Sequence, residues 1–231
     1  MIHQLIFAAP RPGMSEEEFQ RYWVEEHAVR YASRIPQIRK YLIDTRLPFG
    51  EEEGEPLWSG VAEIWLRNEQ EQLASLQTPE FLQGARRDEP NWAAFWRTVV
   101  LDTDAHEIVA GPEQGGGPAG VKVIFLVKRK EGLPLEAFRE LSLGSHATEM
   151  AALPGLRRYL QCHTRDGFYG VGEAVLDAAH LLWFDDEDAL ARALKSPEFE
   201  RARAGMARIV EERYVHRLVT REHWIIGPDP R

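Results

Sequence analysis

The stretch Ile35–Leu42, IPQIRKYL, decides the fold because it returns 118 positions later as Leu153–Leu160, LPGLRRYL. The same shift relates two further pairs: Trp65 with Trp183, and TPEF at Thr78–Phe81 with SPEF at Ser196–Phe199. Upstream, a shift of 119 relates three more pairs: Gly13 with Gly132, Phe19 with Phe138, and His27 with His146. Two ordered blocks that differ by a one-residue gap indicate a duplicated domain with one loop change.

The segment between the two copies has the composition of a linker. It reads GPEQGGGP at Gly111–Pro118, and neither a helix nor a strand tolerates so many glycines and prolines. We therefore predict a first unit at residues 1–110, a linker at 111–120 and a second unit at 121–231.

Within each copy, strand and helix periodicities alternate in the same order. Residues 2–9 read as a short apolar strand, and Ser15 followed by Glu18 is a capping-box signature for a helix that runs to about Ser33. Four residues spaced by four share the apolar face of this helix: Phe19, Trp23, His27 and Tyr31. The other predicted elements are strands at 38–45, 60–66 and 98–109 with helical segments at 69–96, then in the second copy 121–127, 134–152, 156–164, 174–184, 187–211 and 214–226. The order β-α-β-β-α-β predicts a ferredoxin-like unit with both helices on one face of the sheet.

The other face of the sheet must also be covered. In Val121–Val127 the residues pointing to both sides are largely apolar, which is typical of a strand buried on two faces. The predicted fold class is therefore α+β, with two tandem ferredoxin-like units packed sheet to sheet as an intramolecular dimeric α+β barrel.

Composition excludes several classes of function. The 28 Lys and Arg against 37 Asp and Glu give a net charge of −9 with no basic stripe, so we expect no nucleic-acid partner. The single Cys162 permits no internal disulfide, and the longest apolar runs are too short to span a membrane. Pro10 and Pro12 interrupt the start of any secretory signal. We expect a cytoplasmic protein that does not bind membranes.

An ordered set of residues resembles the EthD-like branch of the dimeric α+β barrel proteins. In the first copy these are Arg11–Ser15, Glu18, Phe19, Tyr22, Trp23, His27, Pro36, Arg39–Tyr41, Gly60–Trp65 and Thr78–Phe81; in the second, Phe138, His146, Pro154–Tyr159, Trp183–Asp185 and Ser196–Phe199. The resemblance implies a barrel of two ferredoxin-like units, here from one polypeptide. Relatives include muconolactone isomerase-like and cyclase-like enzymes of aromatic catabolism and polyketide tailoring. Leu141 and Ser142 replace Tyr22 and Trp23, so the first copy is closer to the family pattern.

The resemblance implies that the helix histidine acts as an acid, a base or a substrate-orienting group, a role that carries over to His27 and to the equivalent His146. Histidine titrates near neutrality, so an imidazole in an apolar cleft can take and return a proton. Glu63 on the third strand would orient His27 if both side chains enter the cleft between helix and sheet, and Tyr41 would assist. The alternative is that His27 and His146 are structural histidines of the core.

Aromatic side chains are concentrated in the first copy and suit a pocket for a flat apolar substrate. The predicted substrate-binding residues are Tyr22, Trp23, Tyr31, Trp65 and Trp96, together with Tyr159 and His163 of the second copy. The alternative is that this aromatic stripe belongs to the core.

Three functions fit these residues. The leading hypothesis is a cofactor-free enzyme, of isomerase, cyclase or lyase type, that moves a proton on a small hydrophobic aromatic, lactone or polyketide-like substrate. The second is an oxidative enzyme on the same fold, either a cofactor-free monooxygenase or a haem protein with His146, His163 or His180 as axial ligand. The third is a non-catalytic protein that binds a hydrophobic ligand. We expect no metal site, and either a monomeric pseudo-dimer or a homodimer of fused chains.

Overall fold

The computed structural model describes residues 1–50, 54–112 and 120–231, and the structural statements below concern these residues. The strands are β1 Ile2–Ala8, β2 Lys40–Arg46, β3 Gly60–Leu66, β4 Val99–Val109, β5 Val121–Val127, β6 Arg158–Thr164, β7 Ala178–Phe184 and β8 His216–Ile226. The α-helices are α1 Glu16–Tyr22, α2 Ala28–Arg30, α3 Glu69–Ser75, α4 Arg86–Asp88, α5 Leu135–Leu141, α6 Ala147–Ala151, α7 Glu187–Leu194 and α8 Pro197–Met206. Most of the predicted linker, residues 113–119, lies outside the described residues.

The chain forms two compact units that differ slightly from the two sequence repeats. Unit one comprises Met1–Asp102 and Thr220–Arg231, and unit two comprises Thr103–Val219. The division falls within β4 and β8, which have 11 residues each, whereas β1 has 7. At about 3.4 Å per residue, an 11-residue strand is long enough to contribute one part to each unit.

The sheet of unit one is antiparallel, with β3 between β1 and β2. Ile2 pairs with Leu66 and Ala8 with Gly60, and the part of β8 from Thr220 to Ile226 pairs with β2. The capping box predicted for the first helix is present, because the Ser15 hydroxyl accepts a hydrogen bond from the backbone of Glu18 and the Glu18 carboxylate accepts one from the backbone of Ser15. This local signal fixes the residue at which α1 begins.

The sheet of unit two follows the same plan, with β7 between β5 and β6. The part of β4 from Thr103 to Val109 pairs with β6, again antiparallel. Asp186 and Ser196 cap α7 and α8, each accepting a hydrogen bond from a backbone N–H three residues later. The α+β class and the β-α-β-β-α-β order of each repeat are therefore confirmed.

One feature departs from the continuous helix predicted from Ser15 to Ser33. The chain is helical there, but residues Trp23–His27 form a π-helical segment between α1 and α2. The equivalent Ser142–His146 is also π-helical, and each segment ends at the helix histidine. The wider π-helical turn changes the direction of the side chains that follow, and such segments are frequent at functional sites.

None of the helices in the described ranges combines the length and the apolar character needed to cross a membrane.

Candidate active site

Unit one encloses a cavity of about 540 Å³ between its sheet and its helices. Its floor consists of alternate residues of three strands: Gln4, Ile6 and Ala8 of β1, Tyr41 of β2, and Ala62, Ile64 and Leu66 of β3. The helical wall includes Trp23, His27, Ala85 and Trp92. Phe95 and Leu76 also line the cavity and are about half exposed, so the cavity opens to the surface beside them. A largely apolar cavity of this size suits a small organic molecule.

His27 and Asp88 form a buried pair at the cavity wall. The His27 Nδ1 lies 2.9 Å from the Asp88 Oδ2, and the two residues are only 5% and 4% exposed. The Tyr22 hydroxyl and the Asn91 amide both donate to the other oxygen of Asp88, at 2.9 and 3.0 Å. Burial alone would raise the pKa of Asp88, but the hydrogen bonds from His27, Asn91 and Tyr22 outweigh it and hold that pKa below its usual value.

The contacts of His27 assign its tautomer. The Trp92 indole N–H also lies 3.1 Å from Nδ1, but one ring nitrogen cannot donate to Asp88 and accept from Trp92 at once. The contact with the ionised carboxylate is the stronger one because it is charge-assisted, so we assign the proton to Nδ1. Nε2 then carries a lone pair, and the described residues make no hydrogen bond to it. His27 is arranged to act as a base toward a molecule in the cavity.

A one-residue insertion brings Asp88 to His27. Two equivalent backbone hydrogen bonds show which residues of the units correspond. In unit one Arg11 N donates to Trp92 O, and in unit two Lys130 N donates to Ile209 O, both at 2.9 Å. Trp92 therefore corresponds to Ile209, which lies 117 positions later. The Pro-Glu-Phe motif before them keeps the shift of 118. The shift thus falls from 118 to 117, so unit one contains one extra residue. This residue lies where unit one has the π-helical segment Glu80–Ala85 and unit two has the regular helix α8. Asp88 therefore corresponds to Gly205, so the partner of His27 has no counterpart beside His146.

Of the predicted catalytic residues, Tyr41 lines the same cavity as His27. Its side chain is 1% exposed, and burial raises the pKa of its hydroxyl while a hydrogen bond with Trp23 partly opposes that shift. A tyrosine in this state stays protonated at neutral pH and can donate a hydrogen bond.

Glu63 does not orient His27, which corrects the pairing expected from the sequence. Successive residues of a strand point to opposite faces, and Ala62 and Ile64 face the cavity. Glu63 therefore lies on the far side of the sheet, where its Oε2 is 2.6 Å from the Nε2 of His3. Trp65 shares that face and stacks on His3 at 4.3 Å, so it does not line the cavity either.

The remaining aromatic residues of the first copy line the cavity wall, support the His27–Asp88 pair or lie at the protein surface. Trp23 is in the wall and packs on Trp92 at 5.0 Å, whereas Tyr22 supports Asp88 through its hydroxyl. Burial and the hydrogen bond to Asp88 raise the pKa of Tyr22 to about 12. Tyr31 lies against His27 at 6.2 Å. Trp96 is 64% exposed and contacts the ring of Phe95, outside the cavity lining.

The equivalent space in unit two is occupied by a polar cluster. The Gln161 amide donates to the Tyr159 hydroxyl at 2.7 Å, and the Ser142 hydroxyl donates to Gln161 at 2.8 Å. The ring nitrogens of His180 face the hydroxyls of Tyr159 and Ser142 at 3.4 and 3.5 Å. Ser142 stands where unit one has Trp23, and His180 stands where it has Ala62. Hydrogen-bonded side chains thus take the volume that is open in unit one.

The histidines of this cluster are held neutral. Burial lowers the pKa of His146 to about 4, and neither of its ring nitrogens makes a hydrogen bond of ordinary geometry to the described residues. Burial, aided by His106 and Arg139, lowers the pKa of His163 to about 3. His163 contacts Gln161 at 3.0 Å, and Tyr159 has its pKa raised by burial. All three predicted residues, His146, Tyr159 and His163, therefore belong to the packed interior of unit two.

Two groups of potential metal ligands also contact other protein groups. The nitrogens of His180, one of the candidate haem ligands, already face two hydroxyls, and its ring packs on His146 at 5.2 Å. On the far face of the unit-one sheet, Asp44, Glu63 and Glu222 bring carboxylate oxygens within 4.8 Å of one another. Those carboxylates take part in other contacts, Glu63 with His3 and Asp44 with Thr220.

A family model matches most of the first repeat. Residues 11–95 match the model of the EthD domain, and this range includes His27, Tyr41 and Asp88. No curated protein matches the sequence.

Similar solved structures cover almost the whole chain. An anthrone oxidase-like protein has 13% identity and a TM-score of 0.65, with 96% of this chain and 92% of that one covered. Candidate monooxygenases from Fusobacterium nucleatum and Lactobacillus acidophilus have 10% and 15% identity and TM-scores of 0.59 and 0.55. They cover 99% and 100% of this chain and 96% and 97% of their own. At these identities the likeness concerns the fold.

Proposed function

We propose that unit one is the active site of an enzyme in which His27 takes and returns a proton on a small apolar substrate. The observation that carries the proposal is the buried His27–Asp88 pair at the wall of an apolar cavity. Enzymes often transfer protons with an imidazole base whose other ring nitrogen is held by a carboxylate.

In the proposed mechanism, Asp88 fixes the imidazole and stabilises its charged form. The hydrogen bond from Nδ1 to Asp88 keeps Nε2 unprotonated, and Nε2 accepts a proton from an acidic C–H or O–H of the substrate. The imidazolium that forms is paired with Asp88 inside a region of low polarity, where this charge pair is stronger than in water. The same nitrogen then returns the proton to another atom of the substrate, which gives an isomerisation, a cyclisation or an elimination.

Two further groups would assist the transfer. Tyr41 is kept protonated by burial and can donate a hydrogen bond to an oxygen that gains negative charge. Trp23 and Trp92 provide flat surfaces on which an aromatic ring can pack. The proposed substrate is therefore an enolisable ketone, a lactone or a phenol that carries at least one ring.

Three parts of the sequence-based hypothesis stay proposals. An oxidative reaction begins with the same step, because removing a proton from a phenolic ketone gives an electron-rich anion that can react with dioxygen. A role in aromatic catabolism or polyketide tailoring, and the sheet-to-sheet packing of the two repeats, likewise stay predictions.

The test is proton exchange, which reports the first step whatever follows it. We would incubate the protein with 2-tetralone and with anthrone in D₂O and follow loss of the acidic C–H signals by proton NMR, with dioxygen uptake recorded in parallel. Anthrone is included because one structural neighbour is described as anthrone oxidase-like. We expect His27→Ala to slow exchange by about 10²–10⁴-fold.

The matched control is His106→Ala, which removes an imidazole from β4 outside the cavity lining. We expect this variant to exchange at the wild-type rate. Equal exchange by the wild type and by His27→Ala would contradict the proposal. Saturable binding of both ketones without catalysed exchange would favour the non-catalytic binding protein instead.

A further inference from the structure

A second polar cluster lies in the wall of the same cavity. Gln4 of β1, Gln72 of α3 and Asp102 of β4 all line the cavity and are partly buried. The amide nitrogens of Gln4 and Gln72 each donate to a different oxygen of Asp102, both at 2.7 Å. Three elements of unit one thus hold one carboxylate in a fixed position.

This cluster is remote from His27. The chain segment that carries Trp92, the neighbour of His27, is attached to the end of β1 through the hydrogen bond from Ala94 N to Ala9 O. Gln4 lies five residues earlier on β1, which corresponds to a separation on the order of 15 Å along the strand. A substrate that reaches both groups must therefore be elongated.

The chemistry of the cluster favours hydrogen-bond donors. Among the described residues Asp102 makes no ion pair, and its charge is met only by the two amide N–H groups. Each carboxylate oxygen keeps a further lone pair, and the side-chain amide oxygens of Gln4 and Gln72 accept no hydrogen bond from the described residues. A hydroxyl or an ammonium group would satisfy these acceptors and would contact the charged carboxylate directly. An ether or a carbonyl could accept only the second N–H of a glutamine amide and would leave the carboxylate without a further partner, and an anion would be repelled by its charge.

We infer that Gln4, Gln72 and Asp102 form a specificity subsite that binds a hydrogen-bond donor at the end of the substrate remote from the reacting carbon. The inference rests on the proposed function in one respect, because that function places the reacting carbon of the substrate beside His27. The two glutamines act as positioning residues, because they hold the carboxylate, and Asp102 is the group that contacts the ligand.

Binding of inert probes tests the subsite without any need for turnover. We would measure dissociation constants by isothermal titration calorimetry for biphenyl, 4-hydroxybiphenyl, 4-methoxybiphenyl and biphenyl-4-methanamine. We expect the wild type to bind the hydroxyl or the ammonium probe at least tenfold more tightly than the methoxy probe. The tighter of the two donors identifies which kind of donor the subsite selects.

The variant that removes the acceptor is Asp102→Asn, which has nearly the same shape but replaces one oxygen by a donor. We expect the preference for the donor over the methoxy probe to fall to about twofold or less, with binding of unsubstituted biphenyl unchanged. Asp104→Asn is the matched control, since it makes the same change on the same strand at an exposed position, and it should keep the full preference. Gln72→Leu, which frees one carboxylate oxygen, should reduce the preference partially and provides a second variant if Asp102→Asn does not fold.

Three results would overturn the inference: equal affinity of the wild type for the hydroxyl, ammonium and methoxy probes, an equal loss for every probe in Asp102→Asn, or no saturable binding of any probe. The ratio between probes is the decisive readout, because a merely structural role of Asp102 would lower all affinities together. His27→Ala separates the two proposals. It should slow proton exchange by about 10²–10⁴-fold and leave the preference between probes intact. Either of these two results can fail without the other.

Discussion

The two units share one order of strands and helices, yet among the described residues the interior beside the helix histidine is open in unit one and filled in unit two. In unit one Trp23 and Ala62 line the cavity, and Asp88 holds His27 from behind the wall. The corresponding positions in unit two are Ser142, His180 and Gly205, and the space contains a hydrogen-bonded cluster instead. A repeat can thus preserve a fold while a few substitutions decide whether its interior is open or packed.

The largest expected effect concerns the carboxylate that unit two lacks. In Asp88→Asn, the new amide oxygen faces Tyr22 and Asn91, because both are donors and need an acceptor there. The NH₂ group of the new side chain therefore faces the His27 Nδ1. Nδ1 must then accept, the proton moves to Nε2, and the base is lost. We expect proton exchange to slow roughly 10²-fold, measured by NMR in D₂O.

The control for this change is Asp185→Asn, an exposed carboxylate that pairs with Arg157 in unit two. Its rate of exchange should equal that of the wild type. If Asp88→Asn also exchanged at the wild-type rate, the buried pair would have no part in proton transfer and the contrast between the units would concern packing alone.

The next effect concerns stability at low pH, which we expect a buried histidine of unit two to reduce. His146 has a pKa of about 4 in the folded protein because it is buried, against 6.5 for an exposed histidine. Since the folded pKa lies below the unfolded one, its contribution to stability is complete above pH 6.5 and is lost as the pH falls toward 4. The loss is on the order of 3 kcal/mol in the free energy of unfolding.

We expect His146→Leu to remove most of this loss, as measured by urea unfolding at pH 7 and pH 4.5. Cys162→Ala, another buried substitution in the same unit, should retain the acid sensitivity of the wild type. The same difference between the two pH values in His146→Leu and in the wild type would assign the acid sensitivity to other groups.

A third experiment would make unit one resemble unit two. Ala62→His introduces the residue that unit two has at position 180 and places an imidazole in the cavity floor. We expect the affinity for 4-hydroxybiphenyl to fall at least tenfold, because the ring occupies volume that the probe needs. Ala62→Leu, which adds a side chain of similar size without polarity, should weaken binding comparably. Unchanged affinity in both variants would mean that probes bind elsewhere.

The smallest effect tests the cluster itself. The Ser142 hydroxyl donates to Gln161 inside unit two, so Ser142→Ala leaves a buried acceptor with fewer partners. We expect the free energy of unfolding to fall by about 1–2 kcal/mol in urea titrations. The exposed Ser145→Ala on the same π-helical segment should change it far less. Equal values for the two variants would show that the cluster adds little to stability.

Local signals in the sequence suffice to predict the α+β class and the order of strands and helices in each repeat. The IPQIRKYL repeat gave the duplication, and Ser15 with Glu18 marked the start of the first helix, where the capping box is found. The sequence also predicts His27, Tyr41 and Trp23 in the cleft, and all three line the cavity. Each of these residues lies on an element whose apolar face can be read directly from the spacing.

The partners of those residues could not be predicted in the same way. Glu63 was expected beside His27, but strand alternation directs it to the opposite face, toward His3. Asp88 lies 61 residues from His27 and reaches it only because the π-helical segment Glu80–Ala85 accommodates one extra residue. Spacing rules for regular helices do not include such an insertion. Asp102 joins Gln4 through a contact 98 residues apart, which no local pattern encodes.

Unit one contains both the first and the last residues of the chain, which has a consequence for biosynthesis. Its fourth strand is supplied by Thr220–Ile226, which pairs with β2 across a separation of about 180 residues, and Arg231 donates side-chain hydrogen bonds to the backbone of Ser33 and Ile38. All of unit two is therefore synthesised before the last strand of unit one emerges from the ribosome. The cavity-bearing unit should be the later of the two to become resistant to proteolysis on a nascent chain, since its sheet depends on the most distant contacts in the molecule.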